Sequence, residues 1–483
     1  MGEAPASFDA RPVGDLICPE PDQRPDIWPW SAKRLDNGVL EIGGVSLTDL
    51  ADDFATPAFV LDRADLAGRA NVWVTAMAEE FWDGYGMNGG DAFYAGKAFL
   101  SSDVVRVVTD AGMGVDTASL GELTMALRSG ANPAKVGLHG NNKLDSEIEC
   151  ALLAGNKEGI ERIFIDSLYE VGQLERIAKK LGVIARVMVR VKTGVHAGGN
   201  EYISTGHEDQ KFGVGAFDGQ LDEVVDAIAS SDHLELRGLH SHIGSQIIGI
   251  DAFVEAATII CRLAKQIQGR TGLTIPDIDL GGGAGVAYTG DDETPTSPLE
   301  VARAIAGAVR DACAELDFPV PHVSVEPGRS VVGPAMVSLY RVGAVKDATL
   351  GDGLKRRYIA VDGGMADNIR PALYGARYTA TLANRVSDVE PVRSRIVGKH
   401  CESGDVIVWD VDLPSDVQAG DLLVIPVTGA YGYSMASNYN MATKPGVIAV
   451  ESGQASWIMR PQTIDDLLEL DTGLASLAAT NDE

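Results

Sequence analysis

The stretch Asp91-Ala92-Phe93-Tyr94-Ala95-Gly96-Lys97-Ala98-Phe99 reads as a short apolar strand with a single lysine at its end. Tyr94, Ala95, Ala98 and Phe99 are expected to hold the Lys97 amine among apolar groups, where loss of hydration favours the neutral form. A neutral amine attacks an aldehyde, so the strand suits an imine-forming lysine, the aldehyde being a substrate's or that of pyridoxal 5'-phosphate. A solvated surface charge is the ordinary alternative for such a residue. The rest of the chain decides between the two.

Outward from this strand, short apolar runs alternate with helical segments from Asp62 to about residue 330, the signature of parallel βα units. The candidate strands are 92–97, 114–118, 135–140, 162–167, 186–191, 236–244, 277–283 and 322–329, with amphipathic helices between them, as at 120–129 and 253–268. Eight such units predict an α/β fold with a closed TIM-type (β/α)8 barrel, whose chemistry gathers at the C-terminal ends of the strands. The uncommon residues fall there: Lys97, Asp116, His139-Gly140-Asn141, Arg190, His240 to Ser245, Gly281-Gly282-Gly283 and Glu326-Pro327-Gly328-Arg329. A doubly wound sheet would gather them at one switch point instead. The glycine-rich, polar connection 194–213 is either a lid over the strand ends or a plain surface loop.

Beyond about residue 335 the segments are β-rich and broken by Gly, Asp and Pro, which predicts a second, mainly antiparallel β-domain. The expected division is an N-terminal arm with strands joining the β-domain (1–61), the barrel (62–334) and the C-terminal β-domain (335–483). Residues 1 to about 35 read as an arm laid on another surface, and 465–483 as a helix with a frayed end.

With 40 basic against 69 acidic side chains, the net charge is −29, a balance that repels phosphate backbones and anionic lipid and so excludes nucleic-acid and membrane partners. No apolar stretch approaches the roughly 20 residues of a membrane span, and Met1-Gly2-Glu3-Ala4-Pro5 does not begin a signal peptide. Cys18, Cys150, Cys261, Cys313 and Cys401 are odd in number and scattered, as expected of reduced thiols in a cytoplasmic protein.

Several groups on the strand ends carry chemistry. Gly281-Gly282-Gly283 is a tight turn or a set of backbone N–H groups for a phosphate, with Ser245 adding a hydroxyl. Glu326, extended by the proline after it, either pairs with Arg329 or keeps a pyridine nitrogen protonated. His240 and His242 share a strand face; no Glu or Cys stands at matching spacing, so no metal is expected, and a ring stacked on a flat cofactor or packed in the core is. Cys401 is a buried small hydrophobe or, beside His400, a reactive thiol. Arg370 and Tyr374, four apart, are a solvated pair or a clamp for a substrate carboxylate, with Glu402 available for an ammonium.

Tyr94-Ala95-Gly96-Lys97-Ala98, His242-Ile243-Gly244-Ser245, Gly281-Gly282-Gly283, Glu326-Pro327-Gly328-Arg329, Cys401-Glu402-Ser403 and Gly429-Ala430-Tyr431 stand in the order seen in the alanine-racemase-like, ornithine/diaminopimelate decarboxylase group. Over about residues 28 to 460 the chain resembles that group, its diaminopimelate branch most of all. The resemblance implies a barrel that binds pyridoxal 5'-phosphate, a β-domain, and a homodimer with shared active sites. It implies that Lys97 holds the cofactor covalently, that Asp116 is a cofactor contact, that Glu326 meets the pyridine nitrogen and that His242 stacks on the ring. Ser245, glycines 281 to 283 and the Gly328-Arg329 backbone would hold the phosphate, and Tyr431 would border cofactor and substrate. Arg329, Arg370 and Tyr374 resemble a substrate-carboxylate clamp, Glu402 a substrate contact, and Cys401, offered by the partner subunit, a proton donor. The implied reaction is decarboxylation of meso-2,6-diaminopimelate to L-lysine. The alternatives are a decarboxylase of ornithine or arginine type, a racemase of the same fold, or a non-catalytic regulator. The longer, more acidic arm and Gly96 depart from the group's usual pattern.

Overall fold

Runs such as Val187-Met188-Val189 and Val323-Ser324-Val325 are buried on both faces, which is why they read as continuous apolar stretches and why they form the inner wall of a parallel sheet. The computed structural model describes residues 9, 11–195, 210–350, 353 and 355–474, so residues 196–209 of the expected lid lie outside the described residues, as do 475–483 of the expected tail. The chain divides into two compact units, one formed by Leu66–Val286 with Glu293–Val331, the other by Met1–Asp65, Ala287–Asp292 and Val332–Glu483.

The first unit is the barrel. Its strands are β1 (Gly90–Ala95), β2 (Gly114–Thr117), β3 (Val136–Leu138), β4 (Arg162–Ile165), β5 (Ala185–Lys192), β6 (Leu234–His240), β7 (Asp277–Asp279) and β8 (His322–Val325). All pair in parallel in chain order; β8 meets β1 through Val325 opposite Ala92, and β4 meets β5 through Phe164 opposite Met188, which closes the ring. Ser101 and Ser119 cap the helices Ser102–Asp110 and Leu120–Arg128 by accepting the amides of Val104 and Glu122, so each helix starts soon after its strand.

One expectation fails here. Lys97 is not on a strand: β1 ends at Ala95, and Gly96–Ala98 form a single 3-10 turn. A Cβ at Gly96 would stand 2.9 Å from the carbonyl oxygen of Asp116, so only glycine lets the chain leave the sheet this close to β2. Tyr94 and Phe99 are buried, the Tyr94 hydroxyl donating to the Phe99 carbonyl at 2.6 Å, while Lys97 is exposed. The apolar neighbours therefore fill the core and do not enclose the amine.

In the second unit the long strand Met336–Thr349 pairs antiparallel with Ala58–Asp62, Lys355–Val361 and Leu422–Ile425. Lys355–Val361 pairs parallel with Pro391–Val397, and Ala58–Asp62 pairs parallel with Gly446–Glu451. The sheet is thus mainly antiparallel with two parallel seams. The arm is fixed to this unit by a buried pair: Asp412 accepts the amides of Gly14 and Leu16 at 2.7 and 2.9 Å and the Arg393 guanidinium at 2.6 Å. Among the described residues no helix is long and apolar enough to cross a membrane.

Candidate functional site

At the C-terminal ends of the barrel strands lies a cavity of about 180 Å³, lined by Lys97, Asp116, Glu122, Arg190, His242 and Glu326 among others. Asp116, Asp279 and Glu326 are buried around and beneath it, together with the guanidinium of Arg162. Arg162 reaches Asp279 at 3.0 Å and Ser324 Oγ at 3.1 Å, and its guanidinium carbon stands 3.8 Å from the centre of the Phe93 ring.

Three carboxyls in a dry interior stay ionised only where counter-charges or donors reach them, and these three divide accordingly. Burial and then repulsion from Glu326 push the Asp116 carboxyl well above its usual range, and the same two causes bring Asp279 to about 6. Glu326 goes the other way. Burial works against its charge, but His139 and His240 more than offset this and hold it well below the ordinary carboxylate range. His139 Nε2 lies 2.9 Å and His240 Nε2 3.2 Å from Glu326 Oε1. These three atoms fall within 4.8 Å of one another, and the two contacts to Oε1 are at hydrogen-bond length. Glu326 therefore does not pair with Arg329, whose guanidinium instead donates to Ser245 Oγ at 2.8 Å.

His242 lies beyond the end of β6, and its Nδ1 accepts the Gly282 amide at 3.3 Å. Burial first, then the charges of Lys97 and Arg190, keep this ring neutral. The triple glycine is less free than expected, because Gly281 N–H donates to Asp279 Oδ1 at 2.7 Å and Gly282 N–H to His242. A Cβ at Gly282 would meet the Glu326 carbonyl oxygen at 2.2 Å, so its lack of a side chain brings β7 and β8 together at the rim. Arg190 lies against the Phe212 ring at 4.5 Å, at the end of the 194–213 connection.

The other expected residues lie in the second unit. Arg370 is buried, and its Nη1 donates to the hydroxyls of Tyr288, at 3.0 Å, and Tyr378. Tyr374 is half-buried one turn along the short helix Arg370–Tyr374. Cys401 is exposed, not a buried hydrophobe, and Glu402 beside it is exposed too. Their turn hangs on buried Asp405, which accepts the amides of Met365 and His400 at 2.6 and 2.7 Å. Tyr431 is half-buried and adopts φ 62°.

Nearby Asp367 is buried and accepts the Gly364 amide at 2.9 Å; burial chiefly raises its carboxyl to about 7. A raised carboxyl binds its proton more tightly folded than unfolded, so it adds stability below about pH 4 that is lost as pH rises through about 7. Asp367→Asn should remove about 2 kcal/mol of the fall in stability between about pH 5 and 7. Denaturation of both proteins across that range checks this, and parallel pH profiles would contradict it.

The family model for the pyridoxal binding domain of pyridoxal-dependent decarboxylases matches residues 74–333. The diaminopimelate decarboxylase of Mycobacterium tuberculosis is 43% identical over 452 residues, covering 92% of this chain and 98% of its own length. This chain belongs to the diaminopimelate decarboxylase family. The Bacillus subtilis member is 40% identical over 441 residues, covering 91% of this chain and 97% of its own. A member from M. jannaschii, solved with L-lysine, superposes with a TM-score of 0.84 at 29% identity over 92% of this chain and 98% of that one. The family's cofactor, pyridoxal phosphate, fits the donor set of the barrel: an amine, an ionised buried carboxylate and a neutral imidazole line one cavity, with Ser245 and Arg329 paired on strand-end segments.

Sequence reasoning assigned no role to His139 or Arg162 and left out Glu122, Tyr288 and Tyr378. His139 follows the end of β3 and Arg162 opens β4, but only closure of the barrel reveals what they face.

Proposed function

We propose that this chain decarboxylates meso-2,6-diaminopimelate to L-lysine and CO2, in the cytoplasm, as a homodimer. The observation that carries the reading is an ionised, buried Glu326 on the same cavity as Lys97. Bound pyridoxal phosphate supplies a sink for the electron pair left at the substrate's α-carbon when CO2 departs. Lys97 would anchor it, Glu326 would meet its ring nitrogen, His242 would stack on the ring, and Asp116 would border it. Ser245 and Arg329, already in contact, would hold the phosphate together with Gly283 and Gly328. Gly281 and Gly282 serve mainly to fix His242 and the rim.

Among the described residues the hydrogen-bond partners of the buried Arg370 guanidinium are phenols. A buried guanidinium in this state suits a carboxylate, and the distal carboxylate of diaminopimelate, which ornithine lacks, is assigned to Arg370 and Tyr374. Exposed Cys401 and Glu402 are offered to a second copy, Cys401 returning a proton to the α-carbon and Glu402 meeting the substrate ammonium. Tyr431 borders both ligands. All five cysteines are free, which supports a reducing compartment.

Purified protein with pyridoxal phosphate should release one CO2 and one L-lysine per diaminopimelate consumed; CO2 from ornithine in its place would overturn the substrate assignment. Arg370→Gln should raise KM for diaminopimelate about 10- to 100-fold, the worth of a charge-assisted hydrogen bond. Steady-state kinetics with an unchanged KM would remove Arg370 from the site.

A further inference from the structure

A carboxylate in an apolar barrel does not stay ionised or keep its aim unaided. Glu326 is 5% exposed, and the two contacts that define it both fall on Oε1, from His139 Nε2 and His240 Nε2. This leaves Oε2 for a donor in the cavity. The rings are themselves fixed: His139 stacks on Phe164 with centroids 3.7 Å apart and planes 10° apart, and His240 meets the Phe164 ring at 4.8 Å and 65°. His240 is fully buried. Burial brings His139 to about 3, so its ring is neutral in the working range. A neutral imidazole has one N–H and a carboxylate only accepts, which places the His139 proton on Nε2, facing Glu326.

We propose that His139 and His240 are positioning residues, a pair of imidazole donors locked by Phe164 that keeps Glu326 charged and directed at the ring nitrogen of the bound cofactor. The inference rests on the assignment of Glu326 to that nitrogen. Without the two N–H groups, the same burial that raises Asp116 acts on Glu326, which then takes up a proton and ceases to favour a protonated ring.

The test uses holoenzyme loaded with pyridoxal phosphate carrying 15N in the ring. In the wild type the nitrogen signal should be that of a protonated pyridine. In His139→Leu/His240→Leu it should move toward the neutral value, as it does in Glu326→Gln. His139→Gln, whose amide carries an N–H at the Nε2 position, should keep the wild-type signal. Turnover of the leucine pair should fall about 10- to 100-fold with KM within a factor of two, the usual cost of losing an outer support. A wild-type signal in the leucine pair beside a moved one in Glu326→Gln would overturn the inference and leave Glu326 in place. An unmoved signal in Glu326→Gln would overturn the assignment beneath it. Should the leucine pair not fold, the single His139→Leu variant carries the same reading, since that ring borders the cavity.

Discussion

Lys97→Ala is expected to lower turnover of diaminopimelate by about three orders of magnitude or more, because the variant loses the one lysine amine that lines the cavity among the described residues. The expectation follows from where the residue stands. Gly96 turns the chain out of β1, so the side chain faces the cavity shared with Glu326 and His242. The neighbouring Tyr94, Ala98 and Phe99 are buried in the core while Lys97 is exposed, so the change falls outside the packed interior. CO2 release by the purified variant is the measurement, and turnover within tenfold of wild type would show that the lysine is not the anchor.

The second large effect concerns stability. Arg162→Met should cost about 3–5 kcal/mol, as expected when one partner is removed from a buried ion pair and the other is left behind. Asp279 would lose its 3.0 Å partner, and Asp116 and Glu326 the cation that offsets them. Hydrogen exchange at the amides of β4 and β7 reads the loss locally, which matters in a chain of two units that need not unfold together. Combining the change with Asp279→Asn should recover part of it, since the amide oxygen still accepts Gly281 N–H while the unpaired charge is gone. Protection unchanged in the single variant would mean the guanidinium is not the counter-charge of the barrel.

The barrel was legible because its strands are covered on both sides and so announce themselves as short apolar runs, eight of them at βα spacing. Their ends were not. The last run reads as extended from His322 to Arg329, but β8 stops at Val325, and Arg329 already begins a helical turn. Burial continues past the ladder, from Glu326 to Arg329, because the rim is buried too. The same geometry explains the gaps in the site. Lys97, Glu326 and His242 could be picked out by type and place, whereas the contact from His139 to Glu326 spans 187 positions and depends on closure. Arg162 reads as an ordinary charge opening a strand; only the folded barrel lays it on Phe93. Tyr288 and Tyr378 reach Arg370 from segments that no periodicity connects.

Everything in the account depends on the cofactor being tied to one particular lysine. Borohydride reduction of the yellow holoenzyme, followed by digestion and mass spectrometry, should place the reduced cofactor on the peptide containing Lys97 and bleach the colour. A label on any other lysine, or cofactor released intact after reduction, would contradict it.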